Sequence, residues 1–331
     1  MLVISRVDAV VALTSPPLIS FLAALHARFT GPRLYCWIMD LNPDEAIVAG
    51  WLKEKSITTQ LLKRMMNHSL RRAEKVVVLD RFAKDRMRDK GVAGERIAVL
   101  PPWSHSDVVN YSSYGRQEFR NTHGLDGKFV VMYSGNHSPC HPLDTLLEAA
   151  LTLRDRSNVV FCFVGGGSEQ QKVRRFAEQH QLSNIKCLPY QTLDGLSASL
   201  SAADLHVVVM GDPFVGIIHP CKVYNIMAIG SPMLYIGPAK SHVTDLVPQF
   251  NGQLLTAKHN EHDTVVSHII RASLSSSERR QQQSNNKSPY SKEVLLPQFC
   301  AIVESGGNEI HALPLSMPSE SVLSITNEPG T

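Results

Sequence analysis

Net charge, paired cysteines and a dinucleotide fingerprint are scarce or missing in this sequence, and each absence closes off a class of function. The formal charge is only +3 over 331 residues, with 33 Lys and Arg against 30 Asp and Glu. That balance gives no electrostatic footprint for nucleic acid, so anion selectivity has to come from a local site. The six cysteines, at positions 36, 140, 162, 187, 221 and 300, contain no C-x-x-C pair. Most lie in apolar runs such as "VVFCFVGGG", which suits reduced thiols in a cytoplasmic protein and argues against a disulfide framework or a zinc site. The opening "MLVISRVDAVVALTSPP" contains Arg6 and Asp8 and lacks a cleavage pattern, so it does not read as a secretory signal. Glycines 165, 166 and 167 run into Gln170 where G-x-G-x-x-G requires glycine, which removes the case for hydride transfer. Ala9 to Leu25 has no charged residue, but it is short for a membrane span and is interrupted by Pro16-Pro17. It is expected to form a strand, a turn and a helix whose Leu18, Phe21, Leu22 and Leu25 face is buried against a sheet. Contact of that face with a membrane interface is the alternative.

What is present is alternation. Short apolar strands and amphipathic helices succeed one another, the pattern of a parallel sheet covered on both faces. The first series has strands at Ala9–Leu13, Leu34–Met39, Lys75–Leu79 and Ile97–Leu100, with a long helix over Thr58–Ala73. A polar connection, 108–127, holds a short helix and the domain boundary. The second series has strands at Phe129–Ser134, Val159–Val164, Ile185–Leu188, Leu205–Val209 and Met233–Ile236. Helices fit at Pro142–Leu153, Glu169–His180, Leu193–Ser201 and Cys221–Ile229. Beyond residue 251 the periodic signal fades until a last helix in "KEVLLPQFCAIVES". The expected fold is α/β, with two Rossmann-like doubly wound parallel sheets. Residues 1–120 form the first domain, 121–304 the second, with the last helix returning to the first, and 305–331 a disordered tail.

Four stretches carry chemistry. In "FVGIIHPCKVYNIMAIGSP", Pro220 suits the first position of a helix that ends at Gly230. His219 then falls near its N-cap and Lys222 in its first turn, the wrong end for a cation unless an anion joins them. Gly216, just upstream, would let backbone approach a ligand closely. A Lys222 that simply points into water is the plain alternative. In "VMYSGNHSPCHPL", Gly135 and Asn136 turn the chain at a strand end and His141 precedes the next helix. Gly165 to Gly167 form a tight strand-to-helix turn. In "WIMDLNPDEA", Asp40, Asp44 and Glu45 follow a buried strand, placed either to hold acceptor hydroxyls or to cap a helix.

In order and content these blocks, from "SPPLISFLAALHARF" through "RRAEKVVVLDRFAKDRM" and "VVFCFVGGGSEQ" to "HPCKVYNIMAIGSPMLYIGP", resemble the retaining family 4 glycosyltransferases of surface-polysaccharide synthesis. The resemblance covers roughly residues 7 to 300 and is most specific in the last block. It is nearest to members acting on nucleotide-activated amino sugars. It implies the two-domain GT-B fold with the first domain incomplete, since the chain opens at what looks like a middle strand, about three βα units in.

The resemblance further implies a nucleotide sugar, UDP-linked, as donor. Its diphosphate would lie against Gly135, Asn136, His141, Gly216, His219, Lys222 and Asn225. The base and ribose would lie near Gly165, Gly166, Leu188, Pro189 and Tyr190. Asp40 and Asp44 would face a glycan or lipid-linked acceptor, and the first domain would touch the inner face of the membrane. Asp40 and Lys222 are the candidates for catalysis. No metal and no other cofactor are expected, because positive side chains stabilise the departing diphosphate. Two positions depart from the family. Its Arg and Lys after the first donor-domain strand fall at about Asn136 and His141, and its Glu-x7-Glu pair falls near Ile217 and Asn225. The alternative function is therefore a homologue that binds the donor, or a partner protein, without turnover.

Overall fold

The computed structural model describes residues 7–104, 109–250, 252–275 and 288–305. Two parallel sheets stand side by side. The first has the order β1 (Ala9–Ala12), β2 (Arg33–Ile38), β3 (Lys75–Val78), β4 (Ile97–Val99), each strand paired to the next in sequence. Its middle strands are continuous apolar runs, Leu34 to Ile38 and Val76 to Val78 all buried, as a sheet covered on both faces requires. Helices α1 (Ile19–Thr30), α2 (Asp44–Val48), α3 (Ile57–Arg72) and α4 (Arg81–Asp89) connect these strands. Ser56 caps α3 through Thr59 N, and Asp80 caps α4 through Ala83 N, which fixes where both helices begin.

The second sheet contains β5 (Phe129–Asn136), β6 (Val159–Gly166), β7 (Ile185–Leu188), β8 (Leu205–Val209), β9 (Met233–Ile236) and β10 (Leu254–Ala257). Its order, β10-β9-β8-β5-β6-β7, reverses direction between β5 and β8. The connections are α5 (Ser113–His123), α6 (Asp144–Thr152), α7 (Gln170–Gln179), α8 (Leu196–Ser201), α9 (Lys222–Ala228), α10 (His242–Asp245) and α11 (His262–Leu274). The last helix, α12 (Lys292–Glu304), packs on the first sheet: Phe299 stacks on Trp37 at 4.3 Å, and Tyr35 OH donates to Val303 O.

Three differences from the sequence reading are physical. Strand β10 and helix α11 occupy the stretch after residue 251 where the pattern fades, because β10 is an edge strand and needs only one buried face. Helix α5 belongs to the second sheet, so the change of domain precedes Ser113 instead of falling at residue 120. Arg116 and Arg120 both bind the Asp204 carboxylate at the foot of β8. Helix α1 buries its small residues, Ser20, Ala24 and Ala27, leaving Leu18 and Leu22 exposed and Phe21 and Leu25 half-buried. The expected burial of that leucine face against the sheet is therefore incorrect. Residues 306–331, expected to form a tail, lie outside the described residues.

Candidate active site

In a sheet of this type the loops leaving two neighbouring strands diverge to opposite faces where the strand order reverses, and a crevice opens there. A cavity of about 270 Å³ lies at that point, between the ends of β5 and β6, the turn after β7, and the start of α9. Gly135, Tyr190, Gln191, Lys222 and Asn225 are among its walls. No Asp or Glu lines it among the described residues, and Lys222 is its one cation.

Lys222 is the most unusual side chain in the structure. Its ammonium is buried 3.9 Å from the centroid of the Tyr133 ring and has no hydrogen-bond partner. The nitrogen lies 3.0 Å from where a Cβ on residue 135 would stand, so glycine there, at φ +137, leaves the lysine its place. Burial lowers its pKa to about 7, a shift only partly offset by Cys221. An ammonium withdrawn from water without an acceptor is costly, and an anion in the cavity would supply the missing partner.

The rest of the expected phosphate cradle is arranged differently. Helix α9 starts at Lys222 with Cys221 as its N-cap, later than Pro220, and no side chain caps it. The Val223 and Tyr224 amides are already bonded to Pro220 O and Cys221 O. Those two amides are thus spent within the turn, and the Lys222 ammonium is the charged group left for an anion. His141 donates from Nδ1 to Val209 O at 2.7 Å, which leaves Nε2 an acceptor. Burial and the neighbouring Lys222 push the His141 pKa down to about 3, so it stays neutral and offers no charge. His137 is likewise held below the ordinary imidazole range by burial, and its Nε2 has no partner.

His219 and Gly216 belong to the contact between the two domains. Gly216, at φ +71, abuts the backbone of Phe82 and Ala83, which a Cβ would strike at 2.7–3.0 Å. The close approach it permits is to the other domain, not to a ligand. His219 is buried with both ring nitrogens engaged, Nδ1 to Asp80 Oδ2 and Nε2 to Tyr224 OH, each at 2.7 Å. His242 stacks on it at 3.7 Å with 23° between the planes. Rings so nearly parallel share no point at which one ion could sit in both planes, so this Asp80–His219–His242 cluster is built for hydrogen bonding rather than for a metal. Arg81 forks onto Asp245, and Leu41 N donates to Ile217 O across the same junction. Sequence reasoning missed this junction. Asp80 is visible only as a helix cap in "VVVLDRF", and nothing in the local sequence links it to His219.

Three glycines stand at the end of β6 beside the cavity. A Cβ on Gly165 would strike the Gly135 carbonyl, one on Gly166 the Tyr190 ring, and one on Gly167 the His137 carbonyl and the Asn136 side chain. They lock three loops together, and Tyr190, 59% exposed, is clamped over Gly166 by a hydrogen bond from its OH to Gly166 O. Leu188 is half-buried against the core and Pro189 is exposed beside Tyr190. Tyr133 OH donates to Asn136 O, so Asn136 is held by its own strand.

Across the cleft, Asp40 remains exposed while the crowding around it raises its pKa, with His219 acting the other way. Glu45 is raised too, by burial and by Asp40, and lies 3.6 Å from Cys140 Sγ of the second domain. Asp44 is occupied: Lys90 Nζ donates to both of its oxygens at 2.8 and 2.9 Å. It is held by the first domain's own fold and does not reach the cleft as a free acid.

Comparison with known proteins agrees with this geometry. The family described as "Glycosyl transferases group 1" matches residues 115–288. WcaI of Escherichia coli (strain K12), named for colanic acid biosynthesis as a glycosyl transferase, is 27% identical over 83% of this chain and 68% of its own. A Pseudomonas aeruginosa glycosyltransferase, WbjE, is 23% identical over 74% of this chain and 61% of its own. Among solved structures, Anabaena HepE in complex with UDP and glucose superposes with a TM-score of 0.70 at 15% identity, covering 90% of this chain and 78% of that one. WaaG, a glycosyltransferase involved in lipopolysaccharide biosynthesis, gives 0.61 at 16% identity, over 85% and 80%. The chain has the GT-B fold, and because the family match spans more than half of it, it belongs to the group 1 glycosyl transferases.

Proposed function

We propose that this group 1 glycosyl transferase moves a sugar from a UDP-linked donor, with retention of configuration, to a glycan or lipid-linked acceptor in surface-polysaccharide synthesis. The observation that carries the reading is the buried, unpartnered Lys222 ammonium at the strand-order reversal. A diphosphate lying along Gly135 would satisfy it, and the positive charge would stabilise the diphosphate as it departs. In this reading the nucleoside lies by Tyr190 and the Gly165–Gly166 turn; Tyr190 and Asn225 line the cavity, Asn225 one helical turn after Lys222. The related WcaI and WbjE support the polysaccharide setting, and HepE, crystallised with UDP, supports the donor class. An amino sugar as the transferred group remains the family-based expectation. Asp40, facing the cleft with a raised pKa, is the residue positioned to accept the acceptor's proton.

No described helix is long and apolar enough to cross a membrane. Contact with a lipid-linked acceptor would therefore be peripheral, on the cytoplasmic side, through the first domain's exposed leucines. The second reading, donor binding without turnover, is favoured by one observation: among the described residues no carboxylate lines the cavity, Ile217 being 4% exposed in the core. One experiment separates the two. UDP should raise the melting temperature of the wild-type protein and not of Lys222→Ala. With UDP-sugar supplied, transfer releases UDP in the presence of acceptor, whereas the binding reading predicts saturation with no release.

A further inference from the structure

Helix α9 presents Lys222, yet it is seven residues long and no side chain caps it. A helix that short is not stable by itself, so its place is set by what surrounds it. The turn leading into it lies on helix α4 of the first domain. Arg86 donates from Nε and Nη2 to Val215 O at 3.2 and 3.1 Å, and the backbone of Phe82 and Ala83 abuts Gly216. His219 ends that turn and is bonded to Asp80, the N-cap of α4.

The connection continues into α9 itself. His219 Nε2 and Tyr224 OH stand 2.7 Å apart, with the two rings 15° from parallel. Asp80 Oδ1 accepts from Ala83 N while Oδ2 faces His219 Nδ1. A carboxylate only accepts, so Nδ1 donates to it. The neutral imidazole then turns its Nε2 lone pair to the Tyr224 hydroxyl, which donates. Tyr224 is buried, and its ring also meets Tyr290, whose carbonyl accepts from Ser104 N at 2.8 Å. Lys222 and Tyr224 are two positions apart and so leave α9 on different sides. The tyrosine anchors the helix while the lysine reaches the cavity over Tyr133.

We infer that Asp80 is a positioning residue for the donor site: through His219 and Tyr224 it sets the placement of α9 and so holds the Lys222 ammonium over Tyr133 and beside Gly135. A carboxylate of the first domain thereby completes a site built in the second. The inference deepens the reading of Lys222 as the partner of a diphosphate and rests on it.

Titration calorimetry with UDP on the full chain, well below its melting temperature, tests it. Asp80→Asn puts an amide N–H where an acceptor stood, and Tyr224→Phe removes only the hydroxyl. Each should weaken UDP binding about three- to tenfold, the scale of one hydrogen bond. The double variant should bind no more weakly than the weaker single one, because both changes break one chain of bonds. Arg81→Ala opens the neighbouring fork to Asp245 of α10, not α9, and should bind UDP as the wild type does.

The pH profile separates positioning from a loss of stability. A lysine released from its place regains water, so the fall in UDP affinity that begins near pH 7 in the wild type should begin at higher pH in Asp80→Asn and Tyr224→Phe. Tyr133, Cys221, His137 and His141, the titratable groups about the ammonium, are the same in all these proteins. Wild-type affinity with an unmoved profile in both variants would overturn the inference, and so would additive losses or an equal loss in Arg81→Ala. Should Asp80→Asn not fold, Tyr224→Phe against Arg81→Ala decides alone. If neither variant matters while Lys222→Ala abolishes UDP binding, the positioning role fails and the donor reading stands. If the wild type does not bind UDP, both fail.

Discussion

Replacing Lys222 with methionine should make the protein more stable and unable to hold UDP. Methionine keeps most of the stem's packing against Tyr133 and removes the ammonium, the part with no partner. The size follows from the lysine's pKa, which falls from 10.5 to about 7 on folding. At about 1.4 kcal/mol per pH unit, that displacement is a ceiling of about 4–5 kcal/mol against the folded state at neutral pH and below. Allowing for relaxation around a buried charge, a gain of about 2 kcal/mol is the working figure, or about 4 °C in melting temperature for a chain of this size.

The pH dependence gives the sign independently. A lysine whose folded pKa is lowered makes the wild type gain stability as pH rises from about 7 towards 10.5, because the unfolded chain holds more protons over that window. The variant's advantage should therefore be full below pH 7 and shrink above it. Differential scanning calorimetry from pH 6 to pH 9, with and without UDP, reads both effects. At about 100 times its dissociation constant, UDP should stabilise the wild type by about 2.7 kcal/mol and Lys222→Met by close to nothing. A variant that melts lower than wild type and is still stabilised by UDP would refute the assignment.

Three further outcomes follow from the same geometry. Wild-type UDP affinity should be flat below pH 7 and then fall by up to about tenfold per pH unit, since the apo lysine must take up a proton to pair with the phosphate; titration calorimetry in buffers of different ionisation enthalpy detects that uptake. Asp80→Asn should cost about 2 kcal/mol near neutrality. Chiefly the bond from His219 holds the Asp80 carboxyl down at about 2, so its contribution is present above about pH 4 and lost as pH falls towards 2. Acid unfolding should consequently be shallower in the variant. Gly216→Ala should lower the melting temperature more than Gly50→Ala. Both glycines have positive φ, but only the Gly216 methyl would meet another backbone, at Phe82, while the space around Gly50 is open.

The sheets were readable because a buried parallel strand is written in consecutive residues. "LYCWI" and "VVFCFV" are apolar throughout, since both faces are covered. The Lys222 site was readable in part: lysine at a helix start, next to a loop, is an electrostatic misfit that one line of sequence reveals. What the line could not reveal is that Lys222 rests on Tyr133 and Gly135, some ninety residues earlier, or that His219 is spent on Asp80, farther away still. Both partners are set by which loops the strand order brings together. Asp44 and Asp40 look alike in "DLNPDEA", and only the packing of α4 gives Asp44 its Lys90 and leaves Asp40 for the cleft.

Those long-range pairings decide how the charge of a bound donor is balanced. By the family resemblance the two fixed cations would fall at about Asn136 and His141, and the structure keeps His141 neutral. One lysine, itself close to neutrality when the cavity is empty, must then meet a diphosphate. Near and above pH 7 part of the lysine's charge comes from solvent as the anion arrives. Such a site costs the free protein less than a permanent buried ammonium would, and it makes affinity sensitive to pH just above neutrality. Meanwhile the junction of Asp80, His219, Arg81 and Asp245 is tied by hydrogen bonds at 2.7–2.9 Å. The Asp40 loop and the segment leading into α9 are joined through Leu41 N and Ile217 O, so that loop is held in register with the lysine by the fold itself.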